Sequence, residues 1–425
     1  MKHVLPFIGY LLIALPGWGQ PVCRSFDYRQ KQLSAHPELL SAVAGIEQFT
    51  RKQLQQRSVE VTGQETTLTS PTVITIPVVV HVLYNNAAED ISDAQIGSQI
   101  DELNRDYQKM NTDTSRIPSY FSGLAADCGF HFILAGIDSD GRIISGIIRK
   151  HTNITAFAEN DDMKFSGKGG DDAWNRNEYL NVWVCNLVEG VLGYSSVVGG
   201  PRETDGIVVL YSAFGTTGTA RAPFNLGRTA THEVGHWLNI IHTWGDDSCG
   251  TDLVGDTPPQ QAATYGDPNG IVTSCNNAPD GNMYMNYMDF TDDAGMHMFT
   301  YGQRDRMRTL FMPGGFRYQL LSSPAATAVP GQPADTVNSD GGATPGAGGT
   351  RVYPNPAVNE ATIHLGDVSK VGSLLEVYDQ TGQRVLATRV TTQDFQINIS
   401  GLSGGIYFIR LSSGGRQQNL RLVKL

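Results

Sequence analysis

The chain reads as an α+β protein: one large domain in which a mixed sheet is covered by helices, followed by a small all-β sandwich. Three observations predict this. Residues 74–84, ITIPVVVHVLY, are a β-branched run suited to a buried strand, and the runs at 130–137, 180–188 and 206–214 read the same way. Helical patterns alternate with them, at 92–110 and 228–238. From residue 351 onward the sequence changes to short β runs separated by turn signals.

At the N-terminus, Lys2 and His3 precede an apolar run from Val4 to Leu15, then Pro16 and the small residues Gly17 and Gly19. That is the pattern of a secretory signal peptide over residues 1–19, too short for a membrane span, and no later segment reads as a transmembrane helix. Residues 20–57 are polar, with helical character but little apolar stripe, and read as a pro-segment more than a domain. The large domain is expected over 58–321. Within it, Ser92 and Gln95 suggest a capping box, and Ile96, Ile100, Leu103 and Tyr107 share one face of the helix that follows. LGYSSVV (192–198) is expected to be an edge strand able to pair with an extended peptide. Residues 322–350, rich in Pro, Gly, Ala, Ser and Thr, read as a flexible linker, and 351–425 as the sandwich, with runs such as ATIHL, LLEVYD, FQINIS and IYFIRLSS.

A net charge of −11 over 425 residues argues against nucleic acid or an anionic membrane as partner, and no run of Lys and Arg overrides it. Export makes the five cysteines informative: an even number can pair in an oxidising compartment, and one is left over.

The chemistry concentrates in THEVGHWLNIIHTWGDD, residues 231–247. His232 and His236, four apart, lie on one helical face and can bind one zinc ion, with Glu233 beside them to polarise water. A catalytic zinc needs a third protein ligand. It is not a nearby downstream glutamate, because after Glu233 the next one is Glu360. Asp246, Asp247, Asp252 and Asp256 remain possible, as does His242. A straight helix cannot deliver His242, since ten residues rise about 15 Å. Asn239 offers the answer: asparagine tolerates φ > 0, so the helix can stop there and return His242 to the metal.

HEVGHWLNIIH resembles the long zinc motif of metzincin metalloproteases. NLGRTATHEVGHWL, HTWGDD, VGDTPP, NYMDF and FTYGQRDRM resemble the pappalysin family, particularly its bacterial branch, over about residues 70–312. The resemblance implies a metzincin-type domain, with a twisted mixed sheet, an active-site helix and a Met-turn. It implies His232, His236 and His242 as zinc ligands, Glu233 as general base and then proton donor, and Met288 as the methionine of the turn. It also implies calcium near Asp252, Asp256 and Thr257, an oxygen-rich stretch by its composition alone. A disulfide between Cys249 and Cys275 follows from family positions; Cys128 and Cys185 either pair or stay as buried thiols. Asp292 and Asp293, just past the turn, are expected near the pocket for the residue after the scissile bond, and the family's preference for Arg or Lys there agrees. Where the family often has a tyrosine two residues past the turn methionine, this chain has Phe290 and loses that hydroxyl.

That leaves Cys23 in the pro-segment. A thiolate is a strong zinc ligand, so Cys23 is a candidate latency switch, with a lipid-attached cysteine as the rival. VYPNPAVNEATIHL, LEVYDQTGQRVL and GLSGGIYFIRLSSGGRQQNLRLVKL resemble the C-terminal sorting domain of the type IX secretion system. The resemblance implies secretion machinery as a partner and a secreted or surface-attached location. The expected function is a secreted zinc endopeptidase acting on proteins or peptides through a metal-activated water. The alternative is a surface binding protein on a degenerate protease fold, for which Phe290 speaks and the intact Glu233 and histidines do not.

Overall fold

The computed structural model describes residues 22–61, 73–326, 351–353, 357–365, 368–379, 384–413 and 416–424. They form two compact units, one ending by residue 326 and the other beginning at 351. The expected signal peptide and residues 327–350 of the expected linker lie outside the described residues.

The first unit runs β1 (Val22–Cys23), α1 (Ser25–Ala35), α2 (Leu39–Val61), β2 (Ile74–Tyr84), α3 (Asp93–Tyr107), α4 (Ser119–Ser122), β3 (Phe130–Leu134), β4 (Ile147–His151), β5 (Leu180–Cys185), β6 (Val191–Ser195), β7 (Ile207–Leu210), α5 (Arg228–Trp237), β8 (Tyr265–Gly266), β9 (Phe290–Thr291) and α6 (Tyr301–Thr309). Its main sheet has the order β1-β6-β7-β5-β2-β3. The eleven-residue β2 pairs with β3 through its first half and with β4 through its second. All pairings are parallel except β6 with β7, which is antiparallel and turns the rim of the sheet. β2 is buried along almost its whole length, as its continuous β-branched run requires of a central strand.

α3 packs its predicted face inward: Ile96, Ile100, Leu103 and Tyr107 are all buried with α5 and the turn around Met288. Each such side chain contributes about 1.5–3 kcal/mol through burial. Only half of the expected capping box forms. The Ser92 hydroxyl accepts from the Gln95 backbone N–H at 3.2 Å, but the Gln95 amide donates to the carbonyls of Tyr211 and Phe214 instead of returning to Ser92.

Residues 25–35 and 39–61 are helical, and the segment is docked despite its weak apolar stripe. Tyr28 is buried against Tyr194, with ring centroids 4.8 Å apart. Glu47 of α2 pairs with Arg306 of α6. Residues 322–326, inside the expected linker, are also packed. Ala325 is buried with Val79, Ile137 and Tyr179, and the Ser323 hydroxyl donates to the Glu178 carbonyl. Small side chains that suit a linker by composition also fit a tight crevice.

The second unit consists of β10 (Arg351–Tyr353), β11 (Glu360–His364), β12 (Leu374–Tyr378), β13 (Arg384–Arg389), β14 (Asp394–Asn398), β15 (Gly405–Ser413) and β16 (Arg416–Lys424). Two antiparallel sheets, β10-β11-β14 and β13-β12-β15-β16, enclose one core of Ile363, Leu375, Val377, Ile397, Ile409 and Leu411 among others. Among the described residues, no helix is long and apolar enough to cross a membrane.

Candidate metal centre

α5 presents His232 and His236 one turn apart, then ends at Trp237. Asn239 adopts φ +69°, in the left-handed region that asparagine tolerates better than other side chains. The Ile240 N–H returns to the Gly235 carbonyl at 3.0 Å and closes the helix end. The chain doubles back and carries His242 to the pair. The three Nε2 atoms lie 3.0, 3.0 and 3.3 Å from one another.

The other nitrogen of each ring is engaged. The Nδ1 of His232 donates to the Tyr287 carbonyl at 2.7 Å and that of His236 to the Ile240 carbonyl at 2.8 Å, while that of His242 faces the Asp246 carboxylate. These partners engage each Nδ1, so three Nε2 atoms are left to face one point. Burial, and secondarily His242, pushes His232 down to about 3 and His236 well below the usual range, which disfavours a proton on either ring. Converging nitrogen atoms of this kind suit a metal ion. Cys23 Sγ completes the group: the four ligand atoms lie within 4.8 Å of one another, and among the described residues no other set of three or more His, Cys, Asp or Glu does the same. Three imidazole nitrogens and one sulfur fit zinc.

The sequence left an aspartate open as third ligand. The structure brings His242 to the group and uses Asp246 behind it, as the carboxylate that orients the ring.

Glu233 is fully buried beside the histidines. Burial raises its carboxyl to about 8, against the lowering effect of hydrogen bonds from Ser25 and Cys23. The Ser25 hydroxyl donates to Glu233 Oε2 at 2.8 Å and accepts from the Ser195 N–H of the sheet rim at 2.8 Å. Nothing in the sequence singled out Ser25; its adjacency to Cys23 through Arg24 was the only signal. Gly193 on β6 lies flush against this carboxylate, since a Cβ there would stand 3.1 Å from Glu233 Cγ and 2.7 Å from the Val208 carbonyl oxygen. Burial, then the Glu233 charge, pushes the Cys23 thiol well up, so it needs a cation beside it to become a thiolate.

Met288 lies fully buried under the histidines, and a Cβ on Gly235 would collide with its sulfur. The Met288 N–H is held by the Asn286 side chain, which pairs with Gln303 of α6. Tyr287 turns its hydroxyl away, to Arg228 and Asp106, and cannot replace the missing one at Phe290. Phe290 packs on His242 and Trp244, with ring centroids 4.8 Å away in each case.

A pocket opens beside Glu233, lined by Leu192, Phe224, Phe290, Asp289 and Asp293 among others. Of the expected acid pair, only Asp293 reaches it. Asp292 is partly exposed and lines a neighbouring cavity with Arg221, because successive residues leaving β9 face opposite sides. Asp289, which sequence reading passed over inside NYMDF, supplies the second acid. Asp293 accepts from the N–H groups of Leu226 and Arg228, and Asp289 from Gln260, Thr264 and Phe290. Burial raises Asp293 to about 7 and Asp289 to about 6.

The expected calcium residues divide. Thr257 Oγ1 stands 2.7 Å from Asp252 Oδ2 and 3.2 Å from the Val254 carbonyl, whereas Asp256 turns to the start of α6 and accepts from Thr300 and Gly302. Asp256 is thus committed to capping a helix rather than to a shared oxygen cluster. Cys249 and Cys275 form the disulfide. Cys128 and Cys185 are buried free thiols. The expected substrate edge, β6, is already paired with β1, in parallel, from Val22–Val191 to Cys23–Gly193.

Comparison with known proteins places the chain among extracellular metalloproteases. The family model described as pregnancy-associated plasma protein-A matches residues 166–312, and that of a secretion system C-terminal sorting domain matches 351–424. An extracellular metalloprotease of Verticillium alfalfae is 42% identical over 31% of this chain; the chain spans about half (49%) of that relative, while other fungal extracellular metalloproteases at 31–33% identity are spanned to 75–80%. Two solved Tannerella forsythia structures are similar. A promirolysin variant is 41% identical with a TM-score of 0.64, covering 71% of this chain and 97% of its own. Mature mirolysin in complex with a cleaved peptide is 48% identical with a TM-score of 0.58, covering 59% and 96%. The chain belongs to the pappalysin family of metalloendopeptidases, named for pregnancy-associated plasma protein-A, and carries a secretion-system sorting domain that marks it as secreted or cell-surface.

Proposed function

We propose that this protein is a zinc endopeptidase exported by type IX secretion and held latent by its own N-terminal segment. The observation that carries the reading is the convergence of three imidazole nitrogens with a cysteine sulfur beside a buried glutamate. His232, His236 and His242 hold the zinc, which when bound supplies Lewis-acid polarisation of water and of a scissile carbonyl. Glu233 takes a proton as general base and returns it to the leaving amine. Cys23 fills the fourth position, and Ser25 occupies Glu233, so both reactive groups are covered at once. Release of residues 20–57 then frees β6 for an extended protein or peptide substrate. Asp289 and Asp293 favour Arg or Lys after the scissile bond, since two buried carboxyls attract a cation that reaches them. Calcium belongs to the same reading. Asp252, Thr257 and the Val254 carbonyl bring oxygen atoms together there, with the Thr257 hydroxyl 2.7 Å from Asp252 and 3.2 Å from the Val254 carbonyl.

The test is to relieve the full chain of its N-terminal segment by limited proteolysis, incubate it with a denatured protein, and map new termini by mass spectrometry beside Glu233→Ala. Cuts made by the wild type alone, with Arg or Lys following them, are expected. A zinc-loaded wild type that makes no cuts would sink the peptidase reading. In the unprocessed chain, Cys23→Ala is expected to raise basal cleavage, and Ser25→Ala to raise it less, because only the cysteine binds the metal.

A further inference from the structure

Arg306 of α6 lies behind the metal loop and is 1% exposed. Its Nε donates to the Asn239 carbonyl at 2.8 Å, and its guanidinium fork meets the Glu47 carboxylate of α2 at 2.6 and 3.3 Å. Asn239 is the residue at φ +69° where the chain leaves the helix and turns back. The peptide unit between residues 239 and 240 is therefore pinned at both ends: Arg306 holds its oxygen, and its N–H bonds to Gly235. The next carbonyl, that of Ile240, receives Nδ1 of His236, and two residues further on lies His242. The pinned peptide thus stands immediately before the carbonyl that sets the tautomer of one metal histidine, and three residues before another.

We propose that Arg306 is a positioning residue for the metal centre. It fixes the hinge peptide that aims His236 and His242, and Glu47 clamps Arg306 in the unprocessed chain. The inference rests on the reading of the histidines as metal ligands. A guanidinium suits the task because it donates sideways through Nε while its two terminal nitrogens grip a carboxylate. Lysine has a single ammonium and cannot hold this fork geometry. Groups bonded directly to metal ligands typically carry about 10–100-fold in metal affinity, and Arg306 holds the peptide next to such a group, the Ile240 carbonyl.

The experiment loads the full chain with one equivalent of zinc, adds excess chromophoric chelator, and follows metal release. Cobalt-loaded samples report ligand geometry through their ligand-field spectrum. Arg306→Met is expected to release zinc about 10–100-fold faster and to shift the cobalt bands. Arg306→Lys, which keeps the charge and guards against a misfolded methionine variant, is expected to fall between it and the wild type. Glu47→Gln leaves the bond to Asn239 and is expected to keep the wild-type spectrum, with release faster by a few-fold at most. Release and spectra unchanged in both Arg306 variants, with only thermal stability lowered, would reduce Arg306 to a structural contact and overturn the proposal. Release from Glu47→Gln as fast as from Arg306→Met would overturn the assignment of the effect to the hinge. A wild-type chain that binds no zinc would instead overturn the metal reading itself, and this inference with it.

Discussion

At the scale of single residues, the pocket acids make a prediction with a definite sign. Burial raises Asp293 to about 7 and Asp289 to about 6, both above the ordinary aspartate value of 3.8. Below those values the pocket is neutral; above them it carries negative charge. After processing, the ratio of kcat/KM for a peptide with Arg after the scissile bond to one with Leu is expected to rise between about pH 6 and 8. Taking the ratio cancels the titration of Glu233. Asp293→Asn should flatten most of the rise, and a wild-type ratio independent of pH would remove these acids from specificity. The stability consequence has the opposite sense. A carboxyl whose folded value is raised binds its proton more tightly when folded, so each costs stability as pH climbs from about 4 through 7. His232, His236 and Glu233 were legible because spacing alone places them on one helix, and His242 because Asn239 marks a break that can return it. Asp289 and Ser25 were not, since their roles depend on a turn direction and on a docked segment that no local periodicity encodes.

At the scale of elements, long strands and amphipathic helices were legible, and short or polar ones were not. β2, α3 and α5 announce themselves by pattern. β4 reads IIRKH and has no run to mark it; it exists because the second half of β2 leaves an edge to be paired. α1 and α2 lack a strong apolar stripe because they are held by particular contacts, at Tyr28 and Glu47, rather than by a continuous face. α6 carries a full capping box at Thr300 and Gln303. The break after α5 was legible, and it can be tested. Asn239 holds φ +69°, where a β-branched side chain is strongly disfavoured. Measured by denaturant on metal-free chain, Asn239→Val should cost about 1–2 kcal/mol more than Asn239→Gly, which tolerates the conformation. Equal stability of the two would mean that the hinge is not constrained by its backbone angle. Using metal-free protein separates this strain from any change in ligation.

At the scale of the whole molecule, the two units differ in what stabilises them. The first has a large core shared by the main sheet, α3, α5 and the turn around Met288, and it carries the candidate metal group. The second closes a separate core between two small antiparallel sheets and, among the described residues, contributes none to that group. A metal that binds only the folded first unit stabilises that unit alone, by about 4 kcal/mol when its free concentration is a thousand times Kd. Calorimetry of the zinc-loaded full chain is therefore expected to show two transitions. Chelator should lower the first unit's transition by several degrees and leave the other in place. Deleting residues 351–425 should remove the unmoved transition without shifting the metal-sensitive one. A single cooperative transition that chelator moves as a whole would show that the units fold as one body. Two independent transitions carry a functional consequence: a sorting domain with its own core can be cut away after export without loosening the hinge, the histidines or the pocket, so secretion and catalysis place no opposing demands on one core.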